Sequence, residues 1–409
     1  MKKLHILQLA ARLPYPLHDG GATGIYKIAE SVAREGHQVT FVSFPHDDAE
    51  ISKAAVIEMS KFVSIHLTSK PLPPTYLVLL KTLFKGAYPI ERRMMAEMFT
   101  LIERLMNENT YDIVHIDHAH MGKYGLWMKE KWNIPIVLRE HNYETLIYER
   151  FADNTKNPLK KLIARIHAKR LRKEEANFIR SFDATIPITL QDEELMRRDA
   201  PNATYYTIPA GVDTDYYQPS EQAKEVSNSI LWIGGTNWLP NQDAIEYFAK
   251  EIFPLVVKSV PDATFDIVGE GTDRLQPLVG QWVDKIRLHG RVPDIRPFME
   301  RSAVMICPLR VGGGMRLKLL DFFASGKAVV STSVGAEGNM ACDGEEILLR
   351  DDAISFAQGV VELLSNSDLR RALGANARRL VEEEYSWQSV GKRFCEVYEK
   401  VIAARNVST

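Results

Sequence analysis

Three consecutive glycines, Gly312, Gly313 and Gly314, stand just ahead of two cations, Arg316 and Lys318, a grouping suited to holding a phosphate. Glycine lets the backbone approach an anion closely. A helix starting after such a loop adds unpaired N–H groups and the positive end of its dipole. Cations in a first helical turn are disfavoured by about 0.3 to 1 kcal/mol each, so Arg316 and Lys318 imply a negative ligand. The competing reading is a solvated pair, with Lys318 bridged on the helix surface to Asp321. No Lys-Ser or Lys-Thr pair follows the glycines at Walker spacing, which argues against P-loop chemistry.

The elements around this loop form a βαβ unit. Ala303–Cys307 reads as a strand, Met315–Ser325 as a helix closed by Gly326, and Ala328–Ser331 as the next strand. Ser229–Gly234 opens the same half: a strand, the loop Gly235–Asn241, a helix from about Gln242 to Lys258, and the strand Thr264–Val268. The first half begins likewise, with a strand Leu4–Ala10, a loop bearing Gly20, Gly21 and Gly24, a helix to about Glu35, and a strand Gln38–Phe44. Two halves with matching openings predict an α/β protein of two Rossmann-like domains, with ligands at the carboxyl ends of the strands and a cleft between the domains.

Further strands at Ile113–Ile116 and Ile134–Leu138 lead into polar strand ends. The second ends in Arg139, Glu140, His141, Asn142, Tyr143 and Glu144, which makes His141 and Glu144 site candidates or members of a self-bonded loop. His115, Asp117, His118 and His120 resemble a metal set, but strand alternation separates neighbouring side chains, so supporting roles are expected. Residues 156–173 hold eight lysines or arginines and no acid, with Leu159, Leu162, Ile163 and Ile166 at helical spacing. Either an anionic lipid or acceptor meets this basic amphipathic helix, or its apolar stripe packs on the domain; packing is the expectation. Lys70–Arg93, with Tyr76–Leu80 apolar, reads as a mobile surface segment near an acceptor. Asp213 and Asp215 lie in linker-like sequence rather than a carboxylate metal site.

A chain of 409 residues exceeds what one core usually supports. Its net charge of −2 offers no global footprint for nucleic acid. Cys307, Cys342 and Cys395 are scattered without metal spacing, as in a reducing, cytoplasmic setting. No apolar run reaches the length of a transmembrane helix, so any membrane contact is peripheral, on the inner face.

The chain resembles a GT-B glycosyltransferase of family four, the retaining group that uses nucleotide sugars. The resemblance rests on Gly20-Gly21, Glu140-His141-Asn142, Gly211-Val212-Asp213, Gly234-Gly235, Gly269-Glu270-Gly271, His289-Gly290-Arg291-Val292, Gly312 to Asp321, and Gly335-Ala336-Glu337-Gly338. It implies an N-terminal acceptor-side domain, 1–212, joined by the returning helix 387–409, and a nucleotide-sugar domain, 213–386. By the same resemblance Asp321 takes the place of a glutamate on the ribose, and Gly313 stands where the family has its other glutamate. Val292 lies where backbone reads the nucleobase, and His141 lies beside the donor sugar and phosphate. The implied catalytic residues are His141 and Asp321. The implied donor-binding residues are Gly21, Gly235, Asn237, Val292, Gly313, Gly314, Arg316, Lys318 and Asp321. No metal or other cofactor is implied; the partners are a nucleotide-sugar donor and a glycan or lipid-linked acceptor, in cell-surface polysaccharide synthesis. A non-hydrolysing nucleotide-sugar epimerase and a catalytically silent nucleotide-sugar-binding partner are the alternatives.

Overall fold

The computed structural model describes residues 2–408 except 18, 75–77, 79–81, 83–85, 156, 221–223 and 313. Gly313 and, apart from Val78, the Tyr76–Leu80 run therefore lie outside the described residues. Short apolar strands alternating with helices give two parallel sheets, as crossover connections require. The first contains β1 (His5–Ala10), β2 (Gln38–Ser43), β3 (Ser64–Leu67), β4 (Ile113–Asp117), β5 (Ile136–Glu140) and β6 (Ala184–Pro187), ordered β3-β2-β1-β4-β5-β6. The second contains β7 (Val226–Ile233), β8 (Thr264–Val268), β9 (Ile286–Gly290), β10 (Ser302–Cys307), β11 (Val329–Ser331) and β12 (Leu348–Leu349), ordered β12-β11-β10-β7-β8-β9. Every residue of β4, β5 and β10 is buried, which accounts for their runs of Ile and Val. In each sheet the chain reverses its direction of winding once, between β1 and β4 and between β7 and β10. That switch point opens a crevice at the strands' carboxyl ends.

The chain divides into two compact units, Met1–Pro209 with Val390–Thr409, and Ala210–Ser389. The final helix, Trp387–Ser408, contributes to the first unit from Val390 onward. It is held there by the Tyr398 hydroxyl, 2.6 Å from His115 Nδ1, and by Phe394 stacked on the same imidazole at 5.6 Å.

Three sequence expectations change. Gly20, Gly21 and Gly24 belong to a helix, Gly20–Arg34, not to a loop; the Asp19 carboxylate caps it by accepting from Ala22 N at 2.9 Å. Gly24 is needed for space, because a Cβ there would lie 2.9 Å from the buried Arg139 guanidinium. The helix expected over 242–258 runs Leu239–Tyr247, loosens into a π turn at Phe248–Ile252, and resumes as Phe253–Ser259. Pro254, which has no N–H to donate, explains the break. The basic helix, Pro158–Ser181, buries Ala164, His167, Ala168 and Leu171 but leaves Leu159 and Leu162 65% and 57% exposed. Its stripe of leucines does not pack on the domain. Asp213 Oδ1 accepts from Tyr216 N at 3.0 Å, the local turn expected of a linker aspartate.

Candidate active site

In the second unit, the loops at the switch point are fixed by glycine contacts. Gly269, at φ 154°, packs so tightly that a Cβ would lie within 2.3 Å of the Gly234 carbonyl oxygen. Thr236 N donates to Glu270 O at 2.9 Å, and Gly290 N donates to Thr272 Oγ1 at 3.0 Å. These bonds tie together the loops after β7, β8 and β9. Val292 follows β9 and packs against the core. Asn237 lies exposed at the tip of the loop after β7, and Asn241 Nδ2 holds that loop by donating to Gly235 O at 2.7 Å.

The cations come from the other side of the switch point. Gly312 and Gly314, at φ 139° and 79°, turn the chain after β10 into the helix Leu317–Ala324. Arg316 is its N-cap, with no side-chain capping bond, and Lys318 is its second residue. The Lys318 ammonium lies 3.7 Å from the centre of the buried Trp232 ring and 3.5 Å from Asn241 Oδ1. It reaches across to β7 and forms no ion pair with Asp321, so the helix-surface bridge does not form. Arg316 is buried, and its guanidinium lies 5.2 Å from the Trp238 ring. A third cation, Arg310, is engaged elsewhere, 2.6 Å from Asp243 and 4.2 Å from the Tyr247 ring.

Burial pushes the Lys318 ammonium down to about 8, and Arg316 adds to the effect. Burial also pushes the Asp321 carboxyl up to about 7, against the pull of Lys318. Among the described residues the Asp321 carboxylate has no hydrogen-bond partner. Two poorly solvated cations beside a glycine loop and a helix N-terminus are poised for a multiply charged anion. A cavity of about 340 Å³ lined by Tyr216, Arg296, Glu300 and Ser325 lies at the other end of this helix, away from the glycine loops.

The first unit carries a buried polar constellation after β4 and β5. Asp117 receives Arg139 at 3.2 Å, Gln8 at 2.9 Å and His141 Nε2 at 2.7 Å. Burial opposes the Asp117 charge, but Arg139 and His141 hold its carboxyl well below the usual range. Burial, reinforced by Arg139, pushes His141 down to about 3, so its imidazole is neutral. With Nε2–H donating to Asp117, the Nδ1 lone pair is the ring's remaining acceptor. It carries no hydrogen bond to a described residue.

β4 ends at Asp117, so strand alternation no longer governs His118 and His120. They stack at 4.0 Å, with His118 at φ 89°. Their Nε2 atoms meet separate oxygens of Glu144, at 3.2 and 3.5 Å. Glu144 is positioned because the buried Glu175 carboxylate accepts from the backbone N–H of Glu144 at 2.9 Å and of Thr145 at 3.0 Å, capping the helix Glu144–Asn154. Among the described residues, His118, His120 and Glu144 form one group able to hold a metal ion; the other is Cys342, Glu345 and Glu346.

Of the residues singled out from sequence, Gly235, Asn237, Val292, Gly314, Arg316, Lys318 and Asp321 belong to the second unit, in or just beyond the loops after β7, β9 and β10. Gly21 and His141 belong to the first unit. Sequence reasoning missed Trp232, Asn241 and Arg139 as parts of the sites. A buried arginine at a strand end, Arg139, was the most legible of these signals.

Residues 18–216 match the family model described as Glycosyltransferase Family 4, and residues 227–366 match that described as Glycosyl transferases group 1. The "Uncharacterized 44.6 kDa protein in cps region" of Klebsiella pneumoniae is 20% identical over 395 residues, 94% of this chain and 97% of that protein. The phosphatidyl-myo-inositol mannosyltransferase of Mycolicibacterium smegmatis is 31% identical over 156 residues, 37% of this chain and 40% of that enzyme. Sucrose-phosphate synthase from Thermosynechococcus elongatus aligns with a TM-score of 0.69 at 16% identity, covering 98% of this chain and 100% of that one. Anabaena HepE in complex with UDP aligns with a TM-score of 0.66 at 13% identity, covering 97% and 100%. At these identities the structural likeness establishes the fold.

Proposed function

We propose that this chain, which belongs to the GT-B glycosyltransferases of family 4 and group 1, moves a sugar with retention from a nucleoside diphosphate donor to a glycan or lipid-linked acceptor in cell-surface polysaccharide synthesis. The observation that carries the donor assignment is Lys318, drawn across the switch point onto Trp232 and Asn241 beside a glycine loop. Lys318 and Arg316 hold the diphosphate and stabilise the negative charge that grows on it as the glycosidic bond breaks. Asp321 accepts from the ribose hydroxyls. His141 presents its Nδ1 lone pair to a hydroxyl of the transferred sugar, with Asp117 and Arg139 fixing the ring. The cps-region relative and the mannosyltransferase named for phosphatidyl-myo-inositol support this acceptor class. A thermal-shift panel of nucleoside diphosphates and their sugars tests the donor site, because a ligand bound only by the folded state raises its melting temperature. One base is expected to stand out, and a flat panel would oppose the assignment.

His141→Ala is expected to lower kcat by about 10- to 100-fold, in line with the roughly 1 to 3 kcal/mol lost when a buried hydrogen-bonding group is left unpaired, with little change in diphosphate affinity. Because His141 is neutral above about pH 3, the wild-type rate should show no inflection from it between pH 6 and 7. Steady-state kinetics on a confirmed donor and acceptor check both points; full turnover in the variant would remove His141 from the mechanism.

Transfer is proposed to need no metal. The Nε2 atoms of His118 and His120 are each taken up by a separate oxygen of Glu144, at 3.2 and 3.5 Å. Activity should therefore survive exhaustive treatment with EDTA. Loss in EDTA, restored by manganese or zinc, would instead make this group a metal site.

A further inference from the structure

The helical hairpin Glu144–Asn154 and Pro158–Ser181 has an outer face that its own unit does not use. Leu159, Leu162 and Ile166 follow one another along one face of the second helix at 65%, 57% and 39% exposure, while Ala164, His167, Ala168 and Leu171 are buried on the other. The exposed face continues as Lys169 and Lys173, with Lys160 on the turn that carries Leu159. Ile147 and Phe151 are exposed on the first helix. Single exposed leucines are ordinary, but several on one hairpin are not.

Charge decides what covers this face. Arg165 and Arg172 are paired with Asp153 and Glu149, at 3.4 and 3.0 Å. Among the described residues, Lys160, Lys161, Lys169 and Lys173 have no acidic partner. An apolar stripe flanked by unpaired lysines, whose long stems lie along apolar surface while the ammonium stays in water, matches the boundary between acyl chains and anionic headgroups. A water-facing protein surface would not gain from both features at once. We propose that this hairpin seats the protein on an anionic phospholipid bilayer, with Leu159, Leu162 and Ile166 entering the headgroup–acyl boundary and the exposed Lys160, Lys169 and Lys173 on lipid phosphates. This inference stands apart from the donor site and is read by binding alone.

The test is flotation of the full-length protein with vesicles of phosphatidylglycerol and phosphatidylcholine, against vesicles of phosphatidylcholine only. The protein should float with the anionic vesicles and stay behind with the neutral ones. Raising salt should weaken binding. The triple variants Leu159→Gln/Leu162→Gln/Ile166→Gln and Lys160→Glu/Lys169→Glu/Lys173→Glu should each lower the bound fraction by about tenfold or more. Both should keep the wild-type melting temperature and nucleoside diphosphate affinity, since every changed residue is exposed. Absence of binding to anionic vesicles, or variants that float like wild type, would overturn the proposal. A switch from dimer to monomer in the leucine variant, without vesicle binding by the wild type, would assign the face to a second copy instead.

Discussion

Lys318→Ala is expected to weaken nucleoside diphosphate binding by about 1.5 to 3 kcal/mol, the range for hydrogen bonds to charged groups, and Arg316→Ala by a similar amount. The free protein should lose little stability. Burial already disfavours the charged form of Lys318, pushing it down to about 8 from 10.5. This lowered value penalises the free fold below about pH 8, and the penalty lifts as pH rises from about 8 toward 10.5. Binding has the opposite sign. A bound diphosphate favours the protonated amine, so affinity should fall as pH rises through 8, and binding at pH 8.5 should take up a proton. Titration calorimetry in buffers of different ionisation enthalpy reads the affinity and the proton together. Lys318→Ala should abolish the uptake. Unchanged affinity in both variants would place the diphosphate elsewhere, and a large fall in melting temperature without ligand would show that the cations serve the fold.

Gly269→Ala is expected to cost about 2 to 5 kcal/mol, combining an unfavourable backbone conformation with overpacking. Its φ is 154°, and the added Cβ would meet Gly234 O, Gly234 C and Gly235 N, all backbone atoms that cannot rotate aside. The damage would fall on the loop that positions Asn241 and Lys318, so diphosphate binding should weaken as well. Gly280→Ala is the control: its φ is 39° but nothing lies within 4 Å of the added atom. Only the conformational cost should remain, about 1 to 3 kcal/mol, without the added overpacking. Urea denaturation of the two variants makes the comparison. Equal stability of Gly269→Ala and wild type would mean that the loops can separate without loss.

The fold was largely legible because parallel strands buried on both faces leave short apolar runs, such as Ile136–Leu138 and Ala303–Cys307. The two cations after the glycine loop, which we propose hold the donor, stood out in the sequence because Arg316 and Lys318 oppose the dipole of the helix they begin. Their surroundings were not. Trp232 reads as an ordinary core residue until the fold brings Lys318 onto it, and Asn241 reads as a helix start until it holds Gly235. Alternation failed for His118 and His120 because β4 ends at Asp117, and no turn signal marks that end. The stripe of Leu159, Leu162 and Ile166 was visible as a period, but a period cannot say whether its face meets a core or a membrane.

The central claim is tested most directly by turnover. The purified protein is incubated with a panel of nucleotide sugars and a fraction of glycan and lipid-linked acceptors, and products are followed by NMR. Release of free nucleoside diphosphate that depends on acceptor, with the sugar joined in the anomeric configuration it had in the donor, is the predicted result. An epimerised nucleotide sugar without release, or binding of the nucleotide sugar with no turnover on any acceptor, would contradict it.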